Sequence, residues 1–192
     1  VPTLELDPKT TAAIFIDLQH GIVSRPIQPY PASEILARST QLAAALRAAG
    51  GTAVYVHVDL AQILHPPIDA APMADPNGPP PPPIASQLVP ENGHQPGDVF
   101  ITKRQWGAFY GTDLDQQLRR RNIKTILMAG IATNIGVEST ARAAHDMGYH
   151  LVFVEDAMAT FSPEWHTFAT TQTFPRMGRV RKTEDVLAAL GK

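Results

Sequence analysis

The chain has 192 residues, 44% of them hydrophobic, enough for one sizeable core without covalent staples and consistent with a single domain over 1–192. A formal net charge of −2 gives no basic excess for nucleic acid or an anionic membrane to select, so neither is expected as a partner. The absence of cysteine excludes disulfides, thiolate metal sites and a cysteine nucleophile. Neither a long apolar run nor an apolar leader within VPTLELDPKT is seen, so a soluble, cytoplasmic protein is expected.

Thr11 to Ile16 is a continuous apolar run ending at Asp17, the pattern of a strand buried on both faces. Ser33 is a candidate N-cap for a helix carrying Ile35, Leu36, Leu42, Leu46 and Ala49, with Gly50 as its stop. Thr52 to Val58 and Asp98 to Thr102 read as strands two and three. A helix starting near Thr112 carries Leu114 and Leu118. Thr125 to Ala129 is a fourth strand, Glu138 to Met147 a helix stopped by Gly148, and His150 to Val154 a fifth strand. Ser162-Pro-Glu opens another helix. Met177 to Val180 is a short sixth strand, and Thr183-Glu-Asp caps the last helix. Strand and helix alternate almost throughout, which predicts an α/β fold with a parallel sheet and helices on both faces.

The exception is 60–97, which holds Pro66, Pro67, Pro72 and the unbroken run Pro79 to Pro83. Proline lacks an N–H donor, so this stretch cannot enter the sheet interior. Two readings stay open: a solvent loop, or a semi-rigid flap over a pocket or subunit contact.

Ligands of open α/β sheets bind outside the carboxyl ends of the strands. There the sequence places Asp17, Gln19 and His20 after the first strand, and Lys103, Arg104, Gln105 and Trp106 after the third. Gly130 to Gly136 follows the fourth. An acid ending an apolar strand needs a partner, and Lys103 is the available one. The Gly130 to Gly136 turn lacks phosphate-loop spacing, yet its backbone N–H groups suit a carboxylate or an oxyanion.

These residues carry a resemblance. Phe15-Ile-Asp-Leu-Gln19, Lys103-Arg-Gln-Trp-Gly-Ala-Phe-Tyr-Gly-Thr-Asp-Leu114, Gly130-Ile-Ala-Thr-Asn-Ile-Gly-Val-Glu-Ser-Thr-Ala-Arg142 and Glu155-Asp-Ala157 resemble the isochorismatase-like hydrolase family over nearly the whole chain. The second and third stretches are similar to its YecD-type bacterial branch. The resemblance implies a three-layer αβα fold with a six-stranded, mostly parallel, doubly wound sheet.

It also implies catalytic positions. Asp17 and Lys103 match two members of the family's Asp-Lys-Cys triad, and the nucleophile position is Gly136. Glycine cannot attack a carbonyl carbon. Isochorismatases resemble this pattern, and their chemistry begins with protonation of an enol-pyruvyl ether by the Asp. Hydrolysis of such a small molecule is therefore expected, with Asp17 as general acid. The alternative is an inactive member used for binding or assembly. Ser139 and Thr140 are read as packing or capping residues.

Gln19, Arg104, Trp106, Phe109, Tyr110, Ala132, Thr133 and Asn134 are candidate substrate contacts. For the three aromatic residues, packing beneath the next helix stays open as an alternative. The nicotinamidase branch holds a metal through an Asp and histidines after the second strand. Here Asp59 is followed by Leu60 and Ala61, His57 precedes it and His65 is isolated, so neither metal nor other cofactor is expected. Family members often carry a cis peptide near the positions of Ala132-Thr133. A homo-oligomer, a dimer or higher, is expected from the proline-rich segment and the resemblance. Whether Asp17 keeps a proton is undecided, because burial raises its pKa and Lys103 lowers it.

Overall fold

In the computed structural model of the chain, residues 3–70 and 78–191 are described. Pro72 lies outside them. Six strands form one sheet: β1 (Thr11–Ile16), β2 (Thr52–Val58), β3 (Val99–Lys103), β4 (Thr125–Ile131), β5 (His150–Ala159) and β6 (Gly178–Arg181). Their spatial order is β3-β2-β1-β4-β5-β6, and every pairing is parallel. The chain runs outward from β1 to β3, then returns to the other side of β1 with β4. The strand order reverses between β1 and β4, which opens a crevice at their carboxyl ends.

Side chains alternate across the sheet, so each strand feeds two cores. Ile14 and Ile16 join Val54, Val56 and Met128 on one face, covered by Leu114 and Leu118 of α3 (Leu114–Arg120) and by Ala141 and Ala144 of α4 (Glu138–Asp146). Ala13 and Phe15 join Tyr55 and Leu127 on the other. That face is covered by Ile35, Leu42 and Leu46 of α2 (Ala32–Ala48) and by Val186 and Leu190 of α6 (Thr183–Leu190). Phe15 pairs with Tyr55 in register, and their rings stack 5.0 Å apart. Both faces of β1 are thus apolar, which is why its sequence reads as an unbroken run.

Several boundaries differ from the sequence expectation. α2 begins at Ala32 with Pro31 at the N-cap, not Ser33. The Pro31 carbonyl takes the N–H groups of Glu34 and Ile35 at 3.0 and 3.2 Å, so Ser33 falls inside the first turn. In α6, Lys182 holds the cap and Thr183 is the first helical residue. The Thr183 N–H and hydroxyl both go to Asp156 Oδ1, at 2.8 and 2.9 Å. β5 runs five residues past Val154 because Glu155 and Asp156, which look like a strand end, find polar partners there. The cis peptide is Ile131–Ala132, one bond before the expected place, and Gln28–Pro29 is also cis.

Within 60–97, Pro79 to Pro83 stand exposed. The segment after them is fastened to the body: His57 Nδ1 lies 2.7 Å from the Ser86 carbonyl, and Gln19 Nε2 donates to the Ala85 carbonyl at 3.0 Å. No helix among the described residues is long and apolar enough to cross a membrane.

Gly130 sets how closely β4 approaches β1. It pairs with Ile16, its φ is +114°, and a β-carbon there would stand 2.2 Å from the Ile16 carbonyl oxygen. Both the backbone angle and the space demand glycine. Gly130→Ala is expected to lower stability by about 3 kcal/mol through overpacking, read as a fall in the urea midpoint at unchanged m-value.

Candidate active site

Asp17 is the residue after β1. Its N–H donates to the Val56 carbonyl at 2.9 Å, and its φ of +54° lies in the left-handed region, where a residue other than glycine is strained by about 1–3 kcal/mol. That turn carries the carboxyl into the crevice. Lys103 is the last residue of β3, two strands away, and its side chain crosses beneath the crevice floor. Lys103 Nζ donates to Asp17 Oδ2 at 2.9 Å and to the Trp106 carbonyl at 2.6 Å. Lys103 is 1% exposed and Asp17 6%.

Gly136 completes the group. After β4 the chain enters a π-helical turn, Thr133–Val137, that leads directly into α4. A β-carbon at Gly136 would stand 3.1 Å from Lys103 Nζ, 3.2 Å from Asp17 Oδ2 and 3.0 Å from Ile16 Cγ2. The ion pair therefore closes on the space that a side chain at 136 would need.

Asp17, Lys103 and Gly136 form the floor of a small pocket that opens to solvent. Its walls are Ile22, Val58, Leu60, Ile63, Ile131, Ala132, Ile135 and Phe161, with Gln105 and Trp106 at one side. Leu60 and Ile63 come from the start of the proline-rich stretch. The polar groups are few and lie together, as in small-molecule sites generally.

Burial pushes the Asp17 carboxyl above its ordinary value, against Lys103 and, more weakly, His57, which pull it down. Its Oδ1 is buried and has no hydrogen-bond partner. The site thus holds one carboxyl oxygen on a lysine and one buried oxygen without a partner.

The other candidates separate. Ala132 lines the pocket, and so does Trp106, whose carbonyl also anchors Lys103. Gln19 is fully buried and spent on backbone: it accepts from Val58 N–H at 2.8 Å and donates to the Val58 and Ala85 carbonyls. It clamps β1 to β2 and is no substrate contact. Arg104 donates to Gln62 Oε1 at 2.7 Å outside the pocket. Phe109 packs in the core against Tyr149, while Tyr110 is 83% exposed. Thr133 and Asn134 point behind the turn. Thr133 Oγ1 lies 2.9 Å from His166 Nδ1, and Asn134 Oδ1 accepts from Thr160 at 2.6 Å.

The Glu155-Asp-Ala motif belongs to that supporting layer. Glu155 Oε2 accepts from Tyr30 at 3.1 Å and faces His166 Nε2 at 3.6 Å. His166, with Tyr30 and Lys182, holds the Glu155 carboxyl below its ordinary value. Thr140 donates to the Gly136 carbonyl at 2.7 Å and accepts from Ala108 N–H, which ties the turn to its helix. His57 bonds Ser86 and Thr102, Asp59 caps the turn at 60–62, and the backbone N–H of His20 donates to Gln87.

Sequence reasoning missed most of the walls. Ile22, Val58, Leu60, Ile63, Ile135 and Phe161 are ordinary apolar residues, and nothing in their chemistry marks them. Position at or just past a strand end was the one available signal, and it points to Val58, the last residue of β2, and to Leu60.

Removing one member of a buried ion pair typically costs about 3–5 kcal/mol, so Lys103→Met is expected to lose that much stability at pH 8. Asp17's folded pKa lies above its ordinary 3.8, so the folded state binds the proton more tightly than the unfolded chain. Such a group lowers stability as pH rises through that interval. Losing Lys103 widens the interval, so the penalty of Lys103→Met should shrink as pH falls. Urea melts of both proteins at pH 5 and pH 8 measure it.

The isochorismatase domain family matches residues 11–185. The chain is 45% identical over 199 residues to the uncharacterised isochorismatase family protein YecD of Escherichia coli O157:H7, covering 97% of this chain and 100% of that one. It is 47% identical over 188 residues to the uncharacterised isochorismatase family protein YwoC of Bacillus subtilis, covering 96% of each. The structure of an isochorismatase family protein from Burkholderia thailandensis superimposes with a TM-score of 0.90 at 46% identity over all of both chains. With a six-stranded parallel sheet, an Asp-Lys pair at its switch point and full-length relatives of this kind, the chain belongs to the isochorismatase family.

Proposed function

We propose that the protein hydrolyses a small enol ether, with Asp17 as general acid and no protein nucleophile. The observation that carries this reading is Gly136. The position that faces both Asp17 Oδ2 and Lys103 Nζ has no side chain, while the acid and the cation around it remain. Amide hydrolysis by this fold would need a nucleophile there, or a metal-activated water. An enol ether needs only a proton to become electrophilic.

The chemistry follows from the groups present. Asp17 gives its proton to the terminal carbon of the enol, and an oxocarbenium ion forms. Water adds to the oxygen-bearing carbon of that ion and returns a proton to the Asp17 carboxylate. The resulting hemiketal collapses to a carbonyl compound and an alcohol. Burial supports the acid role, since it raises the Asp17 carboxyl toward the range a general acid needs near neutrality. Membership of a hydrolase family supports the reaction class.

Asp17→Asn is expected to lower turnover of an enol-pyruvyl ether such as isochorismate by about 10²–10⁴-fold, the usual worth of a general acid. Wild type should leave nicotinamide intact. Paired assays of both proteins on both substrates test this. Nicotinamide turnover by wild type, or an Asp17→Asn variant as fast as wild type on isochorismate, would sink the reading.

A further inference from the structure

The Asp17–Lys103 pair leaves two polar valences unused. The Lys103 ammonium has three N–H donors, and its bonds go to two acceptors, Asp17 Oδ2 and the Trp106 carbonyl. Asp17 Oδ1 has no partner. Gly136 sets no side chain against the Lys103 ammonium or Asp17 Oδ2, and all three residues line the pocket. Two adjacent polar positions against apolar walls match the head and body of a small organic acid.

Charge then sets a condition. Among the described residues lining the pocket Lys103 is the only cation, and with ionised Asp17 the floor is neutral. An anion added to that floor would be a buried, unmatched charge, which is strongly disfavoured. One rearrangement avoids this. A proton from solvent enters on Asp17, Lys103 exchanges Asp17 for the incoming anion, and the total charge of protein and ligand in the pocket stays at zero. One cation limits the pocket to one carboxylate; a second would have to lie beyond the mouth.

We propose that the pocket binds a small monocarboxylate with an apolar body, and that each anion enters together with one proton, which Asp17 takes up as Lys103 turns to the ligand. This rests on the reading of Asp17 as the acid and adds how that acid is loaded: the substrate's own carboxylate releases Lys103 from Asp17 and leaves the carboxyl protonated beside the enol. Burial already pushes the Asp17 carboxyl upward, so the proton is accepted readily. The other titratable group acting on Asp17 is His57 of β2, whose ring is engaged by Ser86 and Thr102. Gly136 and Ile16, the neighbours from the turn and from β1, carry no charge.

Benzoate, a compact apolar monocarboxylate, and benzamide, its neutral counterpart, test this by calorimetric titration from pH 5.5 to 9 in buffers of different ionisation enthalpy. Wild type is expected to take up about one proton per benzoate, and its Kd should rise by up to about tenfold per pH unit above the free Asp17 pKa. Benzamide should show neither effect. Asp17→Asn keeps His57 and Lys103, so it should bind benzoate with no proton uptake and tighter than wild type at high pH. Absence of proton uptake in wild type at every pH would overturn the proposal, and so would its survival in Asp17→Asn or failure of benzoate to bind. The wild-type measurement decides even if the variant does not fold. Binding is read without turnover. A protein that shows the linkage but hydrolyses no enol ether refutes the proposed reaction alone, and one that hydrolyses it without the linkage refutes this inference alone.

Discussion

A lysine ammonium and an aspartate carboxyl lie 2.9 Å apart in the interior of the protein, at 1% and 6% exposure, and most of the local architecture serves to keep them together. Each alone would be a buried charge of several kcal/mol. They meet because the sheet is doubly wound about β1, so the ends of β1, β3 and β4 converge although Asp17 and Lys103 are 86 positions apart in the chain. The strained turn at Asp17, the close approach of Gly130 to Ile16, and the Trp106 carbonyl beneath Lys103 all act on this one contact.

Supporting groups extend outward from it. Thr140 ties the Gly136 carbonyl to α4, Thr133 leans on His166, and His166 faces Glu155, which Tyr30 also holds. Polar residues that look like site candidates in the sequence turn out to be committed here, with hydrogen bonds to backbone or to one another. The surface offered to a ligand is instead mostly aliphatic. The polar groups of the pocket lie together on its floor, while its walls are drawn from Ile22, Leu60, Ile63, Ile135 and Phe161. A substitution in the walls would alter what fits, and one on the floor would alter what reacts.

Glycine at 136 changes the character of the site without removing its electrostatics. A side chain there would press on the ammonium, the carboxyl and Ile16 at once. Asp17 and Lys103 stand beside position 136 and pair with each other at 2.9 Å. On the proposed reading the pocket supplies a proton, a cation and an apolar enclosure, which suits substrates activated by protonation better than those requiring covalent attack.

The sequence by itself determined the alternation of strands and helices, the six-stranded parallel sheet and the placement of Asp17, Lys103 and Gly136 at strand ends. Those features rest on local patterns: apolar runs of strand length, helical spacing, and polar residues that interrupt them. It could not determine which of two neighbouring residues caps a helix, as at Pro31 against Ser33, because a cap depends on where the chain arrives from. It also marked Gln19, Arg104, Phe109, Tyr110, Thr133 and Asn134 as ligand contacts, and tertiary structure assigned each to another partner or to solvent. Side-chain direction past a strand end is set by turns and by the elements packed above, so residue type does not encode it. The pocket walls were decided the same way. Aliphatic residues look alike in a sequence, and only the fold separates those that fill the core from those that face a ligand.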